Sequence, residues 1–299
     1  MDGLVAVNGK VTSPEDAVLP ALDRGFLYGD AVFETMVAFD SQILDVPRHL
    51  TRLRNSCEHL KLPVPWSDAE LSFELTSLVE QLACPKASLR LVLTRGLGMS
   101  LKTPAAVHPN RIVYCLPAAS EPGATYIDGI ALKRMVKAGG SRGASAKTAN
   151  YLESILALQK AAPEGYQDVL WSNSDGEITE ASTANIFFIA RQGDEVEFVT
   201  PPAASGILLG ITRDTLIAVM RQATLPVHEQ IVYADELPRF DEAFLCSTVR
   251  GLVPVNRIDR HRLHTARSGS IYRHIERLYL TWVETQLGYR VDWATGRRL

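Results

Sequence analysis

Between Leu116 and Gly123 the chain reads Leu116-Pro117-Ala118-Ala119-Ser120-Glu121-Pro122-Gly123, which puts two prolines, a glycine and small residues into eight positions. Such a stretch extends neither a helix nor a central strand, because proline lacks the N–H donor that both require. It divides a sequence of 299 residues into two parts, each long enough to bury its own core. The expected organisation is a small N-terminal domain over residues 1–116, a linker over 117–125 and a larger C-terminal domain over 126–299.

Both parts mix strand and helix patterns, so the fold class is α+β or α/β in two domains. In the first, Asn8-Gly9 between short apolar runs marks a hairpin. Leu22-Asp23-Arg24-Gly25-Phe26-Leu27-Tyr28-Gly29-Asp30 leads into a strand over 32–39, with glycines beside aromatics as expected around a pocket. Leu50, Leu53, Cys57 and Leu60 share one face of a helix over 45–60. Arg48 and Arg52 stand four apart on another face, either as a solvated basic stripe or as a pair of guanidinium groups offered to one anion. A second helix over 71–82 and strands over 89–94 and 111–115 follow. The last two flank a Gly/Lys/Pro-rich loop, 96–109, placed to act as a lid.

In the second part a strand over 130–135 precedes the loop Gly139-Gly140-Ser141-Arg142-Gly143-Ala144-Ser145-Ala146. That loop delivers Lys147-Thr148-Ala149-Asn150-Tyr151 into a helix running to about residue 162. An amine at the mouth of a helix, partly buried, has its pKa pushed down and becomes a nucleophile towards carbonyls; the alternative is a solvated surface lysine. After a strand over 168–171 and a turn at Ser172-Asn173-Ser174-Asp175-Gly176, Glu180 stands just ahead of the apolar strand that contains Ile186-Phe187-Phe188-Ile189. It is either an exposed turn carboxylate or a group beside a core that requires a partner. Gly210-Ile211-Thr212-Arg213-Asp214 opens a helix that Thr212 is placed to cap, and such an N-terminus presents free N–H groups to a phosphate. A strand over 240–248 ends in Ser247 and Thr248, and 271–287 reads as a packing helix.

Charge and composition narrow the function. A net charge of −3 lacks the basic excess of a nucleic-acid surface, leaving small anions held by local arginines. Cys57, Cys84, Cys115 and Cys246 are scattered without C-x-x-C spacing, so neither a metal site nor a disulfide framework is expected. No apolar run approaches the ~20 residues of a membrane helix. Met1-Asp2-Gly3 lacks a basic region ahead of an apolar one, so a cytoplasmic setting is expected.

A lysine nucleophile, paired arginines, a helix N-terminus with hydroxyls nearby and a carboxylate beside a core are the parts a pyridoxal 5′-phosphate site needs: an amine for the aldehyde, donors for the phosphate and an acid for the ring nitrogen. From Asp23-Arg24-Gly25 to Pro254-Val255 the sequence resembles the fold-type IV (class IV) pyridoxal-phosphate enzymes. These include branched-chain aminotransferases, D-amino-acid aminotransferases and aminodeoxychorismate lyases.

The resemblance implies that Lys147 is the Schiff-base lysine and Glu180 the partner of the pyridine nitrogen. It further implies that Arg52, in His49-Leu50-Thr51-Arg52-Leu53, binds phosphate with Ile211, Thr212, Ser247 and Thr248, and that Tyr151 lies near the cofactor. Tyr28 and Phe33 fall where the family lines its substrate pocket. Arg90, Arg95, Lys102 and Arg250 are the cations available for a substrate carboxylate. The short Lys147-to-Asn150 spacing is more like the D-amino-acid and lyase branch than the branched-chain one. The Arg-x-His pair of bacterial D-amino-acid enzymes is absent after Thr94-Arg95-Gly96. The implied activity is amino-group transfer between a small amino acid and a 2-keto acid by a homodimer. The alternative is the lyase reaction that yields 4-aminobenzoate and pyruvate.

Overall fold

The computed structural model describes residues 2–103, 107–119, 123–137, 146–193 and 195–299. The elements run β1 (Leu4–Val7), β2 (Lys10–Thr12), α1 (Arg24–Tyr28), β3 (Ala31–Phe39), β4 (Gln42–Ile43), α2 (Val46–His59), α3 (Asp68–Leu82), β5 (Lys86–Thr94) and β6 (Asn110–Pro117). Then follow α4 (Gly123–Asp128), β7 (Ile130–Val136), α5 (Leu152–Ala161), β8 (Asp168–Ser172), β9 (Ile178–Ala181), β10 (Asn185–Gln192) and β11 (Glu195–Thr200). The chain closes with α6 (Ile211–Gln222), β12 (Val227–Glu229), β13 (Glu242–Ser247), β14 (Gly251–Ile258), β15 (His261–Arg262) and α7 (Tyr272–Leu287). Two compact units result, one of Met1–Ser120, Ala146–Asn150 and Gln286–Leu299, the other of Glu121–Ser145 and Tyr151–Thr285.

In the first unit six strands form a sheet in the order β2-β1-β6-β5-β3-β4. The β1–β2 turn is the expected one, with Asn8 and Gly9 both at positive φ (51° and 86°). Successive strand residues face opposite sides. Val32, Met36 and Ala38 of β3, with Leu89, Leu91 and Leu93 of β5, therefore meet Leu50, Leu53 and Cys57 of α2 and Leu71, Leu75 and Leu78 of α3 in one buried core. Phe33, Thr35 and, opposite Thr35 in register, Arg90 belong to the other face. A capping box at Ser67 and Glu70 starts α3 at Asp68, three residues before its apolar face shows it in the sequence.

The segment that carries Lys147, expected within the C-terminal domain, groups with this first unit. The short strand β4 pairs only with the Ala38–Phe39 end of β3, leaving the other end of that edge open. Residues 147–149 fill it: Phe33 N–H donates to the Lys147 carbonyl (3.0 Å), Ala149 N–H donates to the Ala31 carbonyl (3.1 Å), and Val32 and Thr148 form an antiparallel bridge. Lys147 is therefore in extended backbone, and the helix expected to begin there starts at Leu152, with Tyr151 at its cap position. The small-residue loop before it, 139–145, lies outside the described residues.

In the second unit the sheet order is β12-β11-β10-β13-β14-β7-β8-β9, with β15 on β14. β7 runs parallel to both β8 and β14, whereas β10, β11, β13 and β14 are joined antiparallel. Ile186, Phe188, Phe240, Ala243, Leu245, Val253 and Val255 fill its core, where Phe188 stacks on Phe240 at 4.8 Å. A smaller cluster packs Ala157 and Ala161 of α5 against Val169 and Trp171 of β8.

Gly96 sits at φ +82°, and a Cβ there would meet the carbonyl oxygen of His108 across the 96–109 loop. Gly96→Ala is expected to destabilise the protein by roughly 2–4 kcal/mol, through the disfavoured φ and a clash with backbone that cannot move aside. A fall in the urea midpoint at unchanged slope measures it.

Candidate active site

In the first unit the site grows from β3 and α2. Alternation places Glu34 of β3 on the helix-facing side, among apolar residues and with no solvent exposure. A carboxylate there must be paired. Helix α2 pairs it twice: Arg52 donates from Nε to Oε1 (2.8 Å) and from Nη2 to Oε2 (2.7 Å), and His49 Nδ1 lies 2.7 Å from Oε2. Burial alone would raise the Glu34 carboxyl, but the Arg52 and His49 hydrogen bonds outweigh it and hold it at about 2. Burial pushes His49 the other way, below its ordinary value, against the pull of Glu34. The Arg52 guanidinium is thus fixed along one edge. Arg48, offered in the sequence either as part of a solvated stripe or as a partner of Arg52 for one anion, has its Nη1 3.4 Å from Asp45 Oδ2.

Ser56, one turn beyond Arg52, accepts the backbone N–H of Lys147 (3.1 Å) and is itself buried. The Lys147 ammonium lies 4.3 Å from the ring centroid of Phe33, and the Arg90 guanidinium lies 3.9 Å from that same centroid. Lys147, Phe33, Arg90 and Arg52 are therefore gathered in one unit. Gly29 leaves room for Asn150, since a Cβ at φ +67° would strike the Asn150 side chain.

Arg95, expected among the cations for a substrate carboxylate, is spent on the fold. Its Nε donates to Asp30 (2.8 Å), and Nη1 and Nη2 donate to the Lys61 and Leu60 carbonyls (3.0 and 2.8 Å) at the end of α2. Burial raises Asp30, yet the Arg95 and Arg24 hydrogen bonds outweigh it and hold its carboxyl below the usual range. Tyr28 donates its hydroxyl to the Met99 carbonyl and is partly exposed.

In the second unit a tight turn (Ala181 N–H to the Ala184 carbonyl, 2.8 Å) folds Glu180 back beside Asn185. Asn185 Nδ2 donates to Glu180 Oε2 (3.3 Å) and to the Leu208 carbonyl (2.9 Å), while Leu208 N–H donates to Glu180 Oε2 (3.1 Å). Glu180 thus has the partners that the sequence reading required. Asn185 was not singled out in the sequence; the signal available was a polar side chain opening an otherwise apolar strand. Gly210 makes the arrangement possible, because a Cβ there would collide with Asn185 Oδ1.

Gly210 is also the N-cap of α6, so Thr212 lies inside the first turn rather than capping it, and no side chain caps the helix. An uncapped first turn leaves N–H groups at Ile211 and Thr212 for an anion, and the helix dipole favours negative charge there. Both residues are buried, and Arg213 anchors the turn through the Pro201 carbonyl (2.9 Å) and Glu229 (3.0 Å). Ser247 ends β13, whose Cys246 is in register with Asn185, and Thr248 begins the turn into β14. Asp168 ties that turn down: its Oδ2 meets Arg250 at 3.2 Å and its Oδ1 accepts from Ser182 N–H at 3.3 Å. Among the described residues no cluster of His, Cys, Asp and Glu is arranged to hold a metal, and no helix is long and apolar enough to cross a membrane.

The folded-state carboxyl of Glu34 lies below its ordinary 4.5. Its contribution to stability is therefore complete above about pH 4.5 and fades as pH falls towards 2, for a total of about 3 kcal/mol. Glu34→Gln is expected to lower stability by that order at pH 7. The gap from the parent protein should narrow through the same window when urea midpoints are followed down in pH.

The amino-transferase class IV family model matches residues 31–258, most of the chain. A putative branched-chain-amino-acid aminotransferase of Methanocaldococcus jannaschii is 28% identical over 293 residues, covering 96% of this chain and 98% of the relative. Among solved structures, Escherichia coli branched-chain amino acid aminotransferase superposes with a TM-score of 0.83 at 26% identity over 93% of both chains. The 4-amino-4-deoxychorismate lyase of Pseudomonas aeruginosa gives 0.79 at 26% identity over 96% of this chain and all of that one. The chain belongs to the class IV aminotransferases, with the fold-type IV architecture, and is an enzyme of amino-group transfer.

Proposed function

We propose that the protein binds pyridoxal 5′-phosphate through Lys147 Nζ and moves an amino group between a small amino acid and a 2-keto acid. The observation that carries this reading is the fixed geometry of Lys147. Its backbone is bonded on both sides, and its amine is held over Phe33 in the unit that also fixes Arg52.

The donor set fits the cofactor. Each unit carries donors of the kind a phosphate dianion takes: Arg52 in the first, and in the second the uncapped first turn of α6 with the hydroxyls of Thr212, Ser247 and Thr248. Glu180, oriented by Asn185 and the Leu208 N–H, suits a protonated ring nitrogen. Tyr151, at the head of α5, belongs to the same assignment. When bound, the cofactor supplies a carbonyl for a primary amine and a ring that accepts electron density from the substrate Cα. Lys147 Nζ is the base that takes the Cα proton and returns it as an acid. Phe33, Tyr28 and Arg90 line the side where the substrate is held, and Arg90 is the cation best placed for a carboxylate, since Arg95 is committed elsewhere. The proposal includes a homodimer in a cytoplasmic setting, in keeping with four unpaired cysteines.

Two signals bear on the substrate. The relatives' names point to branched-chain amino acids, whereas the short Lys147-to-Asn150 spacing is more like the D-amino-acid and lyase branch. The second reading is aminodeoxychorismate lyase, supported by that spacing and by the likeness to the Pseudomonas enzyme. A transaminase consumes a 2-keto acid to complete its cycle and a lyase requires none.

Titration of the loaded enzyme with L- and D-amino acids decides between them: loss of the visible absorbance band, restored by a 2-keto acid, is expected for one enantiomer, and no response to either favours the lyase. Lys147→Ala should abolish both transfer and the lysine-linked absorbance, and retention of both would refute the assignment. Glu180→Gln should lower kcat roughly 100-fold with cofactor affinity nearly unchanged, as measured by cofactor titration and steady-state kinetics.

A further inference from the structure

We propose that Ser56 is a positioning residue for Lys147, an inference that rests on Lys147 being the reactive amine. A peptide group is a rigid plane, so a residue whose two flanking planes are both fixed has a fixed Cα–Cβ direction. At Lys147 the plane that follows is held through its carbonyl, which accepts from Phe33 N–H at 3.0 Å, and by the pairing of residues 148 and 149 with β3. The plane that precedes it is held through its own N–H, and the acceptor is Ser56 Oγ at 3.1 Å. Without that acceptor the β3 bonds still place the segment, but the plane ahead of Lys147 loses its tie to α2 and keeps only the local bond from Thr148 N–H to the Ala146 carbonyl (3.0 Å), which turns with the segment itself.

The location of Ser56 makes the bond hard to replace. Ser56 is 3% exposed, so water does not readily substitute for its oxygen. It also belongs to a row: His49, Arg52 and Ser56 stand three and four residues apart, the spacing of one helix face. The first two clamp Glu34 of β3, and the third takes the Lys147 N–H that lies along the edge of the same strand. One face of α2 therefore sets both the guanidinium assigned to the phosphate and the amine assigned to the carbonyl of a single ligand. A catalytic group displaced by even an ångström loses rate while substrate binding persists.

Two variants separate the hydrogen bond from mere packing. Ser56→Ala removes the acceptor and some volume, whereas Ser56→Cys keeps the volume and offers only a weak acceptor. Both are expected to speed amide exchange of the 146–150 segment about tenfold in the cofactor-free full-length chain. In the loaded enzyme both should lower kcat about tenfold with KM within about twofold. Exchange and kcat at parental values in either variant, or faster exchange with an unchanged kcat, would overturn the proposal. So would a Cys variant that behaves as the parent while Ala does not, since volume alone would then be the cause. Should Ser56→Ala fail to fold, Ser56→Cys carries the test unaided. An active Lys147→Ala enzyme would remove the reactive-amine reading and leave the exchange result standing, so the two failures are distinguishable.

Discussion

A carboxylate without solvent contact, on the helix-facing side of a strand, is stable only if the helix supplies charge and donors to meet it. Glu34 is such a group, and Arg52 and His49 are what α2 supplies. The pairing fixes the rotation of α2 about its axis relative to β3, because only one helix face carries the partners. The apolar contacts of Leu50, Leu53 and Cys57 fix how close the helix lies, but greasy surfaces slide where a bidentate ion pair does not. Ser56 and the guanidinium of Arg52 inherit their positions from that constraint.

The second unit handles its carboxylate differently. Glu180 is only half-buried, and Asn185 and the Leu208 N–H are neutral donors that orient its Oε2. One acid is thus paired with charge inside the fold, and the other is the one proposed to meet a ligand. The distinction is set by register: Glu34 falls on the covered side of its strand, while Glu180 precedes a tight turn at the end of β9.

Much of the fold was legible because its signals are local. Asn8-Gly9, the Leu50/Leu53/Cys57 face of α2 and the alternation in β3 depend on neighbours in sequence, and they appear where periodicity and turn chemistry put them. What was not legible depends on partners far along the chain. Lys147 was expected at the mouth of a helix because a helical period follows it. An open edge of β3, more than a hundred residues earlier, captured it as extended backbone instead. Arg95 resembled a free cation beside a loop until Asp30 and the end of α2 claimed its nitrogens. Thr212 lost the capping role to Gly210, which had to be glycine to make room for Asn185. Among the readings of the site, Glu180 and the lysine rested on motif resemblance as well as on pattern, and pattern alone left each with an ordinary alternative.

The first unit is not contiguous in sequence: it includes residues 146–150 and 286–299. Lys86 in β5 is buried, donates to the Trp293 carbonyl at 2.6 Å and lies 4.9 Å from the Trp293 ring centroid. Its acceptor is made two hundred residues after it. While the chain emerges from the ribosome, the N-terminal sheet still lacks the Trp293 carbonyl that Lys86 donates to and the segment that pairs with the Ala31–Phe33 part of the β3 edge. Both are costs of long-range closure that slow folding. The unit that bears Lys147 is therefore completed only after residues 286–299 have been made, and a shorter nascent fragment cannot assemble it.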